Sequence, residues 1–97
     1  MKDEIKTVIQ EIVHLLSEHN ERMWADQFSY LEEKLEVDYQ ETLGQVARMF
    51  GGAGTFNDFL LHKDGWPLKD ENRALFALKS TLYQLVKEAS EDTKGAS

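Results

Sequence analysis

Few residues in this chain could do chemistry, and the densest group lies at Met49–Phe59, MFGGAGTFNDF. Three glycines, Gly51, Gly52 and Gly54, are followed by an Asn57-Asp58 pair set between Phe56 and Phe59. A phosphate-cradling loop of the Walker type needs a lysine after its last glycine, but Thr55 and Phe56 follow Gly54. A dinucleotide fingerprint needs a preceding strand and G-x-G-x-x-G spacing; here a helical pattern precedes and the spacing is absent. Turn-making explains the glycines better. Gly51 or Gly52 would supply the left-handed residue that ends a helix, and the others would let backbone fold tightly against it. Phe50, Phe56 and Phe59 would anchor that turn on the core, with Asn57 and Asp58 bonding local backbone.

The histidines offer less. His14 and His19 are separated by about 140° on a helical wheel, so they cannot share a metal as an i, i+4 pair does. His14 and Glu18 have that spacing, yet two exposed ligands make a weak site. His19 is expected to pack at a helix end, and His62 stands alone beside an Asp64-Gly65 turn. The paired carboxylates Glu32-Glu33 and Asp70-Glu71 lack the buried partner that raises a catalytic pKa. They read as a solvated face and as acids favouring a helix start. No serine has a nucleophile-elbow context. No catalytic residue, cofactor or metal is expected.

Four helices must position these groups. Ile5, Val8, Ile9, Ile12, Val13, Leu15 and Leu16 share one side of a helix over about 3–18, and Asn20 punctuates the chain. Trp24, Phe28, Leu31 and Leu35 form the stripe of a second helix, with Met23, Tyr30 and Val37 as a weaker flank. Asp38 and Glu41 have capping-box spacing at the start of a third. Tyr39, Leu43, Val46, Ala47 and Phe50 are its predicted buried stripe. The fourth helix is predicted over about 70–89, with Leu75, Leu78, Leu82, Leu85, Val86 and Ala89 inward and Phe76 and Tyr83 at its edge. Short connections predict antiparallel neighbours. The long span from Gly51 to Leu68 needs order of its own. A hairpin joining Phe59–His62 to Trp66–Leu68 through Asp64-Gly65 is one reading, with Pro67 restricting it to an edge. A short helix over FNDFLL is the other.

Composition bounds the function. Eleven basic residues against 18 acidic ones give a formal charge of −7. That sign opposes nucleic-acid and anionic-membrane binding and would steer basic partners. With no cysteine, disulfides and thiolate metal sites are excluded. No apolar run is long enough to span a bilayer, and the acidic, amphipathic start does not resemble a signal peptide. The expectation is one cytoplasmic helical domain over 1–97, with a frayed tail from about residue 91.

The Met49–Phe59 stretch resembles the hallmark of a family of small bacterial proteins carrying a domain of unknown function, marked by M-F-G-G-x-G-[ST]-F-N-D. The resemblance runs from about Trp24 to Leu85. It implies a bacterial origin and the architecture above, and it lends no activity. The expected fold is all-α: four helices with a structured glycine-rich loop or short hairpin between the third and fourth. The expected function is a non-catalytic protein-binding module, in its most specific form an inhibitor or immunity-type partner of a basic protein. Its acidic contact surface would be Glu32, Glu33, Glu36 and Glu41. The alternatives are a ligand-binding protein or enzyme with a pocket built from Gly51, Gly52, Gly54, Asn57, Asp58, His62 and Trp66, or a homodimer using the Phe76/Tyr83 edge.

Overall fold

The computed structural model describes residues 1–50 and 56–95, with side chains as far as Asp92. Four helices, α1 (Lys2–Glu18), α2 (Arg22–Val37), α3 (Tyr39–Arg48) and α4 (Lys69–Gly95), enclose one core. Between α3 and α4 lie a 3₁₀ turn (Phe56–Asp58) and an antiparallel hairpin of β1 (His62–Lys63) and β2 (Trp66–Pro67). The fold class is as expected. α1 packs on α2 and α4, and α3 completes the ring by packing on the same two.

Each helix boundary has a local cause. After α1, Asn20 takes φ 60°, its N–H donates to the Ser17 carbonyl, and the Glu21 N–H donates to Leu16. This is the paired bonding of a Schellman stop, with asparagine in the left-handed position. Only Asp38 separates α2 from α3. Its carboxylate accepts from the Glu41 N–H at 3.2 Å, as the cap predicts. Glu41 does not return the bond: the Asp38 N–H is already given to Lys34 O, and the Glu41 carboxylate lies 3.8 Å from the Lys34 ammonium.

The core follows the predicted stripes closely in α1 and α2, where Ile5, Ile9, Ile12, Leu16, Phe28 and Leu35 are almost wholly buried. The α2 flank of Met23, Tyr30 and Val37 faces solvent. The α3 stripe needs one correction. Ala47 is exposed and Thr42 is buried, because the Thr42 hydroxyl donates to Asp38 O at 2.8 Å and so enters the core satisfied. α4 continues to Gly95, beyond the predicted end at Ala89.

Of the two readings for the long connection, the hairpin holds. Asp64 and Gly65 both have positive φ, 53° and 84°, the pattern of a type I′ turn. His62 faces Pro67 and Lys63 faces Trp66. A further bond from the Leu68 N–H to Leu61 O extends the pairing by one step. FNDFLL contributes only the single 3₁₀ turn.

Candidate functional site

Phe56 is the hub that seats the 3₁₀ turn. It is fully buried, with its ring centroid 4.6 Å from Phe28, 5.0 Å from Trp24, 5.8 Å from Phe59 and 6.4 Å from Phe50. Phe50 and Phe59 are half-buried around a buried Phe56; the glycine turn they are expected to anchor lies outside the described residues. Main chain fastens the 3₁₀ turn as well, since the Asn57 N–H donates to Met49 O.

Two polar side chains of α4 hold the connection from the other side. Lys79 is the only buried charged side chain among the described residues. Its ammonium donates to Phe59 O at 2.6 Å and to Asn57 O at 3.4 Å, and lies 4.9 Å from the Phe56 ring centroid. Burial pushes its pKa below the ordinary lysine value, while the nearby Asp58 carboxylate acts in the opposite direction. About two turns earlier on α4, Asn72 accepts from the Leu61 N–H and donates to the Leu61 carbonyl. Neither residue is visible as functional in the sequence, because each bonds to backbone distant along the chain.

A cleft of about 400 Å³ opens where α4 meets the turn, lined by Phe50, Asn57, Phe76, Lys79, Ser80 and Tyr83. The Tyr83 ring packs against Phe50 at 5.7 Å. Phe76 and Tyr83 remain 70 % and 49 % exposed. Its wall is aromatic, and its one ammonium is engaged with carbonyls.

The other sequence-predicted residues do not converge here. His62 lies on the hairpin with its Nδ1 3.0 Å from Leu60 O, and Trp66 is 77 % exposed. His62 borders a separate depression with Glu18, His19 and Asn20. Among the described residues, Asn57 thus lines the α4 cleft and His62 the separate depression. Gly51, Gly52 and Gly54 lie outside the described residues, as does the left-handed helix stop assigned to the first two. His14 pairs with Glu18 at 2.6 Å on the exposed side of α1. Among the described residues, no group of three His, Asp or Glu side chains could hold a metal ion.

The acidic surface is interrupted. Glu36 meets Lys2 at 3.3 Å and Lys6 at 3.4 Å, which shows the start of α1 beside the end of α2. Those two lysines hold its carboxyl below the usual range. Glu41 faces Lys34. Glu32 and Glu33 border a depression with Lys6, Gln10 and Glu36, so the four acids do not form an unbroken negative patch. No helix among the described residues is long and apolar enough to cross a membrane.

The chain belongs to the family described as "Domain of unknown function (DUF6966)", whose model matches residues 17–69. The matched span contains α2, α3, the 3₁₀ turn and the hairpin, and it ends where α4 begins. Neither a curated protein nor a solved structure matches the chain.

Proposed function

We propose that this protein is a non-catalytic protein–protein interaction module whose contact surface is the outward face of α4 around Phe76 and Tyr83. The observation that carries this reading is the exposure of two large aromatic side chains at the rim of an aromatic-walled cleft. Exposed aromatic clusters of this kind are the usual anchors of binding surfaces. The polar groups at the cleft support the same reading, since Lys79 serves as a clamp on backbone.

A second reading places a basic partner on α2, with the protein as its inhibitor or immunity-type counterpart. The depression beside Glu32 and Glu33 favours it. The lysines already paired with Glu36 and Glu41 reduce the charge it can use.

Site-specific photo-crosslinking in native lysate separates the two. A photoreactive phenylalanine analogue replaces Phe76 in one protein and Glu32 in another. A discrete adduct from position 76 alone supports the α4 surface; an adduct from position 32 alone overturns it.

A further inference from the structure

The outward face of α4 has a charge pattern opposite in sign to the whole chain. Lys69, Arg73, Phe76, Ser80, Tyr83 and Lys87 follow one another at spacings of four, three, four, three and four. That spacing aligns them in one stripe along a helix, the seam pattern of paired helices. All six are exposed. The inward stripe of α4, through Leu75, Leu82, Val86 and Ala89, is already used by the core. α4 therefore carries a second seam, aromatic at its centre and basic at both ends.

Lys69, Arg73 and Lys87 form no ion pair among the described residues. Asp70 and Glu88 lie about 100° and Glu71 about 160° round the helix from the seam's centre, on its flank and far side. Glu91, four residues after Lys87 and in line with it, closes the far end of the seam with one carboxylate. Asp58 lies near Lys79, where the seam meets the cleft. In a protein of charge −7, this is a local surface on which carboxylates of a partner would be matched rather than repelled.

We propose that this seam docks an acidic amphipathic helix of a partner protein, its apolar side chains against Phe76 and Tyr83 and its carboxylates against Arg73 and Lys87. This rests on the α4 surface being the contact, and adds the chemistry of what it contacts. A helix fits because the seam runs over about five helical turns and repeats at the spacing that a facing helix presents. A partner steered only by the net charge would be basic and would avoid these cations. The seam selects the opposite sign.

The test is a titration of the full chain, followed by amide chemical shifts, with two capped helical peptides. One carries leucines at alternating three- and four-residue spacing flanked by glutamates; the other has glutamine at every glutamate position. The expected result is shift changes centred on residues 73–87 and binding about tenfold weaker for the glutamine peptide. Arg73→Glu with Lys87→Glu should abolish that preference, and both sites are exposed, so folding is spared. Equal binding of the two peptides on this face would overturn the acidic partner while leaving the α4 contact standing. Shifts elsewhere, or self-association of the chain through this face, would overturn the docking itself.

Discussion

The side-chain amide of Asn72 grips the backbone of Leu61 at both polar atoms: the Leu61 N–H donates to Oδ1 at 2.6 Å, and Nδ2 donates to the Leu61 carbonyl at 2.9 Å. An asparagine on α4 thus acts as one more strand residue beside the hairpin. Asn72→Ala leaves the part-buried Leu61 N–H without this acceptor, while the Leu61 carbonyl keeps its bond from the Leu68 N–H. It should cost about 1–3 kcal/mol, seen as a melting temperature lower by about 4–8 °C for each kcal/mol. Asn72→Asp should not restore stability, because it sets a carboxylate oxygen against the Leu61 carbonyl. An unchanged melt for Asn72→Ala would show that the clasp is dispensable.

Lys79 makes a pH-dependent prediction. Burial favours its neutral form, so its folded pKa lies below the ordinary value of 10.5. Between those two values the unfolded chain holds more protons, and stability should rise with pH. Tyr39 works the other way: burial raises its pKa above the ordinary 10.0, and stability is lost as pH climbs from there through the folded value. Lys79→Met removes only the first effect. Urea denaturation of both proteins from pH 8 to 10.5 should show a stability difference that shifts toward the parent protein as pH rises. A constant difference would mean that the ammonium is not desolvated.

How much could be read from the chain depends on whether a residue's partner is local. Ile5, Ile9, Ile12 and Leu16 announce a buried face because helical geometry alone aligns them. Asn20, Asp38 and the Asp64-Gly65 turn were equally readable, since each bonds within a few residues. Thr42 was missed because a hydroxyl paired with the preceding turn can be buried without penalty. Lys79 and Asn72 were missed for a different reason. Both look like ordinary polar helix residues until the fold brings the carbonyls of Asn57, Phe59 and Leu61 to them. The acidic surface is interrupted for the same cause, as Lys2 and Lys6 reach Glu36 only once α1 lies along α2.

Gly65 tests the hairpin. Its φ of 84° is strained for any residue with a Cβ, and a Cβ there would meet nothing within 4 Å. The cost of Gly65→Ala is then purely torsional, about 1–2 kcal/mol. Gly65→Asn should cost less, since asparagine tolerates the left-handed region. Denaturant midpoints of the two variants decide it, and equal losses would contradict a torsional origin.

Glu36 makes a prediction at acid pH. Its carboxyl is held below the ordinary 4.5 by Lys2 and Lys6. The stability it adds is complete above that ordinary value and disappears as pH falls through the folded one. Glu36→Gln should therefore be less stable than the parent near pH 6, and the gap should narrow as pH falls below the ordinary carboxylate value and shrink with added salt. A gap independent of pH would remove the ion pairs as its cause.

The claim that α4 presents the contact surface is tested most directly by quantitative affinity capture from native lysate. Three baits are compared: the unaltered chain, Phe76→Ser with Tyr83→Ser, and Glu32→Lys with Glu33→Lys. All four positions are at least partly exposed, so each bait should remain folded, which circular dichroism verifies. The α4 account predicts a partner that is retained by the α2 variant and depleted at least about tenfold by the aromatic one, as loss of two anchors requires. A partner kept by the aromatic variant and lost on charge reversal of α2 would contradict it.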